Sequence, residues 1–335
     1  MSSSSRKLIS VVTPCYNEEM NILECAEKVR RIFESDLPEF RHEHIICDNA
    51  STDRTLELVS ELATRDRRIK VIANARNFGP FHSLFNGITN AKGDAVVLFL
   101  PADLQDPPEL IVQFVRLWEQ GYEVVYGVRR WREESLVMRS IRRVYYRLVA
   151  ESANIVIPEG AGEFQLVDRK VIEALKCFDD YYPYVRGMVA YCGFRSVGVD
   201  YTWRARKRGV TKNNLFRLVD QALNGLISFT NLPMRLFMAA GLVVASLSIL
   251  YGLASLVLNL IYYRRIAPPG IPTLIVAIFF FSGIQLFSFG VLGEYIVAIH
   301  FQVRKRPMVV ERFRLNFDHS AEPPTPDMAE SGLAT

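Results

Sequence analysis

The chain of 335 residues carries 40 Lys and Arg against 36 Asp and Glu, and 50% of it is hydrophobic with 11% aromatic. That is too apolar for a disordered protein and too charged for a polytopic transporter. Five cysteines, Cys15, Cys25, Cys47, Cys177 and Cys192, form no CxxC pair, which argues against a disulfide framework or zinc site and favours a reducing compartment. Met1–Lys7 is short and Ser-rich, and strand-like alternation follows it in place of an apolar signal segment, so no signal peptide is expected.

In chain order, Leu8–Thr13, His44–Cys47, Ile69–Ala73, Ala95–Leu100 and Glu123–Tyr126 read as short buried strands. Between them Glu19–Phe33, Thr55–Ala63, Phe81–Asn90 and Pro108–Gln120 read as amphipathic helices. Such alternation predicts an α/β domain with a mostly parallel sheet, its ligand at the carboxyl ends of the strands. From Arg129 to Glu151, Met138, Ile141, Tyr145 and Leu148 share a face opposite Arg139, Arg142, Arg143 and Arg147, a basic amphipathic helix suited to an anionic membrane surface.

Two uncharged runs follow, Leu236–Tyr263 and Ile271–Gly293, each long enough for the roughly 20 apolar residues of a bilayer span. Basic residues between Arg204 and Arg217, and Arg304-Lys305-Arg306 after the second run, place both ends in the cytoplasm, against a weaker vote from Arg264 and Arg265 in the intervening loop. Glu294 just past the second run is expected at the interface or paired. The expected organisation is a cytosolic domain over 1–232, a hairpin over 233–303 with spans near 236–263 and 271–298, and a basic stop with an unstructured tail over 304–335.

Polar residues gather where three strands end. Tyr16 to Glu18 and Asp48 to Asp53 offer an aromatic ring and carboxylates that can grip a nucleoside, although Ser51, Thr52 and Asp53 could equally cap the next helix. Asp103 to Asp106 leaves an apolar strand, and a carboxylate there can hold Mg²⁺ or Mn²⁺; for Asp106 an N-cap role before Pro107 and Pro108 is an equal alternative.

PCYNEE, CDNASTDRT, NARNFGPFHSLFNGITNAKGD, LPADLQDPPE, GEFQLVDR, RGMVAYCGF, RKRGVTK and LGEY occur in this order over roughly Ile9–Pro307. With them the chain resembles a family 2 glycosyltransferase of the GT-A fold, in the bacterial polyisoprenyl-phosphate branch related to dolichol-phosphate mannose synthase. The resemblance implies transfer of a sugar from a nucleotide donor, by preference a UDP-hexose, to polyprenyl phosphate (undecaprenyl phosphate) at the cytosolic face of a bacterial inner membrane, with inversion, for cell-envelope glycans. It implies Pro14, Tyr16, Glu18, Asp48, Arg76, Asp103 and Gln105 on the donor, and Arg129, Arg206 and Lys212 on the phosphates. Lys207 and Arg208 need no role beyond flanking charge. Pro101 stands where the first Asp of an Asp-x-Asp-x-Gln motif commonly stands, which leaves Asp103 and Gln105 as implied metal ligands. Glu163 stands where relatives often place an Asp facing the acceptor. A homo-oligomer, a tetramer by resemblance, is implied as well.

Two other classes remain open to these residues. A processive synthase normally needs further spans and a QxxRW motif, whose spacing Gln113 to Trp118 misses, and a non-catalytic nucleotide-binding scaffold finds its best support in Pro101. No nucleic-acid partner is expected, because the basic runs lie beside membrane segments.

Overall fold

Strand β1 (Leu8–Cys15) is central because it is apolar on both faces: Ile9 and Val11 enter one core, Val12 the other. The computed structural model describes residues 6–129, 161–181, 183–202, 271–304 and 306–317, with isolated positions between 239 and 261. β1 pairs in parallel with β2 (Arg41–Asp48) and with β4 (Ala95–Leu98), and β2 pairs in parallel with β3 (Ile69–Asn74). β6 (Ala161–Asp168) runs antiparallel between β4 and β5 (Val124–Arg129), and β7 (Ser196–Tyr201) pairs in parallel with β5. β6 therefore starts at the rim where its neighbours end, so its early residues join the strand-end loops.

Helices cover both faces. α1 (Ile22–Arg31) and α4 (Leu110–Glu119) bury Cys25, Val29, Phe114 and Trp118 on the face carrying Val11 and Val97. α3 (Pro80–Asn90), α5 (Arg169–Lys176) and α6 (Val185–Tyr191) bury Leu84, Ile88, Ile172 and Met188 against Val12, Ile45 and Val96. α2 (Thr55–Arg65) packs Val59 and Ala63 with Ile46 and Val71. α3 lies close to the sheet at Gly87, where a Cβ would stand 2.6 Å from Val12 Cγ1 and 2.7 Å from Cys47 Sγ. A larger residue there would push the whole β3–α3 connection off the rim.

The expected helices and strands form, with shifted ends. β4 stops at Leu98 because Phe99 turns out of the sheet at φ 49°. β2 begins at Arg41, before the expected His44, since His42, Glu43 and His44 are buried polar residues with partners. Ser10 Oγ donates to Glu43 at 2.5 Å, Lys70 pairs with Glu43 at 2.6 Å, and Thr13 Oγ1 lies 2.8 Å from His44 Nε2. Burial lowers the His44 pKa to about 3, keeping the ring neutral.

The expected unstructured tail is corrected at its start: β8 (Glu311–Leu315) adds antiparallel to β3 and completes an eight-stranded sheet, β7-β5-β6-β4-β1-β2-β3-β8. Before it comes α7 (Ile271–Val303), whose segment Phe280–Val297 is long and apolar enough to cross a membrane and is not buried in the protein. Of the first uncharged run only isolated helical positions, such as Val243 and Leu247, are described. The basic amphipathic helix lies outside the described residues beyond Arg129, as do the stretch carrying Arg206 and Lys212 and everything past Phe317.

Candidate active site

Backbone strain marks the rim. Among the described residues, five without a glycine's freedom have positive φ, and four of them, Asn17, Ala50, Phe99 and Leu104, sit in the loops after β1, β2 and β4. Such conformations cost about 1–2 kcal/mol per residue and persist where the surroundings hold them. The loops after β1 and β2 hold each other: Asn17 N donates to Ser51 Oγ, Thr52 N to Asn17 Oδ1, and Glu18 N to Thr55 Oγ1, all within 2.8–2.9 Å. Asp53 Oδ1 accepts from Thr55 N at 3.0 Å. Ser51, Thr52 and Asp53 thus serve the loop pair and the start of α2, leaving Pro14, Tyr16 and Glu18 half-buried on the β1 side.

Asp48 is fully buried. Its Oδ2 accepts from Ser51 N at 3.1 Å, while Oδ1 has no hydrogen-bond partner, and burial raises its pKa against the pull of the Ser51 bonds. An unpartnered buried carboxylate oxygen is costly and suits a ligand N–H or hydroxyl. In this conformation Asp48 is sealed from solvent. Arg76 is exposed, its guanidinium 4.0 Å above the Phe78 ring.

After β4, Asp103 and Gln105 are half-buried either side of Leu104, and Asp103 Oδ1 accepts from Gln105 N at 3.2 Å. Among the described residues no group of three or more His, Cys, Asp or Glu could hold a metal ion, and Asp103 and Gln105 are oxygen donors of the kind that Mg²⁺ or Mn²⁺ takes alongside water and phosphate. Asp106 is not a helix cap. Its buried carboxylate accepts from Arg129 Nη2 at 2.9 Å and from the Tyr201 hydroxyl, and Arg129 Nε donates to that hydroxyl at 2.8 Å. Burial opposes the Arg129 charge, but Asp106 and Tyr201 outweigh it, so its pKa is raised; burial and Asp106 raise that of Tyr201. Gly127 makes room, since a Cβ there would stand 2.7 Å from Tyr201 Cε1.

Two residues into β6, Glu163 faces Arg186 of α6 at 3.8 Å, both side chains mostly covered. Burial raises the Glu163 pKa, with Arg186 and then Arg129 pulling it down. Arg186 Nε also donates to Tyr184 Oη at 2.8 Å. The rim therefore alternates in charge from Asp106 through Arg129 and Glu163 to Arg186. The sequence reading missed Asp106 and Tyr201 as holders of Arg129, and gave Arg186 no role although its motif was visible.

The family model for glycosyl transferase family 2 matches residues 10–176, and that for the GtrB C-terminal hairpin matches 232–299. The uncharacterized glycosyltransferase YkcC of Bacillus subtilis (strain 168) is 36% identical over 90% of this chain and 92% of its own length. The chain belongs to glycosyl transferase family 2. Within the family, this glycosyltransferase is also similar to the bactoprenol glucosyl transferase of Shigella phage SfII, at 33% identity over 90% of this chain and 96% of that protein. Among solved structures, a mannosyltransferase from Pyrobaculum calidifontis in complex with GDP-Man and Mn²⁺ shares 19% identity over 91% of this chain and 89% of its own, at a TM-score of 0.45. The fold expectation, an α/β GT-A-like sheet followed by a C-terminal hairpin, is met.

Proposed function

We propose that this glycosyltransferase moves a hexose from a nucleotide sugar, by preference a UDP-sugar, to a polyprenyl phosphate at the cytosolic membrane surface, with inversion. The observation that carries this reading is the alternating row Asp106, Arg129, Glu163 and Arg186 on a domain joined to a helix able to cross a bilayer. Relatives named bactoprenol glucosyl transferases support the lipid acceptor.

A phosphate monoester has a second pKa near ~6 and is largely dianionic at neutral pH, so it can attack the anomeric carbon without a strong base. The new phosphate oxygen–carbon bond forms as the bond to the nucleoside diphosphate breaks on the opposite face. The difficulty is electrostatic, because two anionic groups must share one site. Arg129, fixed in orientation by Asp106 and Tyr201, and Arg186, fixed by Glu163 and Tyr184, supply charge without reorganising during the reaction; Arg206 and Lys212 add to it. Pro14, Tyr16, Glu18, Asp48 and Arg76 form the donor side. Asp103 and Gln105 would hold a divalent cation, which when bound offsets the charge of the leaving diphosphate.

The test uses full-length protein in nanodiscs containing undecaprenyl phosphate, with a panel of UDP- and GDP-sugars, reading nucleoside diphosphate release and lipid product mass. A polyprenyl-phosphate hexose is expected. Nucleotide release without a glycosylated lipid, for every donor, would overturn the reading.

A further inference from the structure

The loop between β3 and α3 lies against the turn that carries Asp48. Phe78 N and Asn74 Nδ2 both donate to Asn49 Oδ1 at 3.0 Å, and Asn49 Nδ2 donates to Asn77 Oδ1 at 2.9 Å. His82, in the first turn of α3, extends this network outward. Its Nδ1 lies 3.0 Å from Phe78 O and its Nε2 lies 2.7 Å from Tyr181 O, with the two rings edge to face at 5.5 Å. Tyr181 N donates in turn to Gln302 Oε1 at 2.9 Å, and Gln302 Nε2 donates to Asp179 O.

Gln302 is the last residue but one of α7, which has 33 residues. At 1.5 Å per residue the helix is about 50 Å long, well beyond a bilayer core of about 30 Å. Its end therefore has the reach to stand clear of the lipid and meet the catalytic domain, and it does so at residues 179–181.

We propose that His82 and Gln302 are positioning residues that pin the donor-side loop, residues 76–79, to the end of the membrane helix. A path of close polar contacts then runs from Gln302 through Tyr181, His82 and Phe78 to Asn49, the neighbour of Asp48. The helix sets the height of the domain above the lipid, and the path carries that setting to the donor side. A neutral His82 ring donates to one of the Phe78 and Tyr181 carbonyls, and it donates to both only when protonated. Burial lowers its pKa, while the Tyr181 and Phe78 carbonyls pull the other way. The inference rests on the proposed function only for what the loop binds.

Two readouts separate the failure of one from the failure of the other, both on full-length protein in nanodiscs. The first is amide hydrogen exchange at Phe78 and Gly79, which needs no ligand. Gln302→Ala and His82→Ala should each speed it about 3- to 10-fold, and the double variant should add little to either, as expected for members of one network. His82→Gln, whose amide can stand in for Nε2, should restore protection better than His82→Asn. The second is UDP and GDP affinity by calorimetry, expected to weaken by a similar factor in the alanine variants with the melting temperature held. Exchange unchanged by Gln302→Ala, or fully additive effects, would overturn the coupling. Wild type binding neither nucleotide, with the exchange result intact, would overturn the donor reading and leave the coupling standing.

Discussion

Glu163 carries opposing demands in one side chain. Burial lifts its carboxyl above the ordinary value of 4.5, so the folded protein holds that proton more tightly than the unfolded chain. The associated stability is full below the ordinary pKa and is lost as pH rises through the folded one. At pH 8 the ionised carboxylate is thus a penalty that Arg186 and Arg129 only partly offset. Glu163→Gln should raise the melting temperature at pH 8, with the gain shrinking toward pH 4, and should lower turnover about 100-fold by unfixing Arg186. A thermal shift that is the same at both pH values would remove the titration argument.

Arg186 makes the companion case. If it receives the lipid phosphate, Arg186→Ala should raise the KM for polyprenyl phosphate about 10- to 100-fold, the worth of roughly 1.5–3 kcal/mol for a bond to a charged group. Arg186→Lys should recover part of this, lacking the planar fork. Initial rates against acceptor concentration check it, and an equal loss of donor affinity would reject an acceptor-side role. At this scale the strand-end motifs were legible, because strand, polar residue and helix follow one another in the chain. The holders of Arg129 were not: Asp106 stands 23 residues from Arg129, and Tyr201 stands 72 away, so no local spacing announces them.

Among the elements, legibility followed burial pattern. β1, β3 and β4 are apolar runs covered on both faces and were read directly. The start of β2 hides because a His-Glu-His triplet looks like a loop until its cross-strand partners are known. β8 hides because Glu311-Arg312-Phe313-Arg314-Leu315 is a charged edge strand, half exposed and stable only beside β3. What fixes it is side-chain bonding: Asn86 Nδ2 donates to Glu311 at 2.6 Å, and Asn316 Nδ2 donates to Ala63 O at 2.6 Å and Ile69 O at 2.8 Å. Asn316 also holds φ 63°, which asparagine tolerates better than most residues. Asn316→Ala should cost about 2–4 kcal/mol through two lost bonds and the strained backbone, and Asn316→Gly less, since only the bonds go. Denaturant unfolding of both variants checks the order; equal losses would show that the backbone conformation contributes nothing.

At the scale of the whole molecule, α7 and β8 tie the membrane segment to the catalytic domain at two places, through Gln302 at one and the β3 edge at the other. A domain so held stays in the thin layer above the lipid. An acceptor confined to the same bilayer then meets it at a concentration set by surface density and not by bulk volume. Diluting the enzyme-bearing vesicles at fixed lipid-to-protein ratio should therefore leave the rate per enzyme unchanged when polyprenyl phosphate shares the vesicle. With acceptor placed in separate vesicles, the rate should fall about 10²- to 10⁴-fold, the range that tethering supplies without any new contact. The two arrangements can be compared by nucleoside diphosphate release at one donor concentration and one total acceptor amount. Equal rates would mean that the acceptor reaches the site through water, and the lipid-phosphate reading would give way to a soluble one.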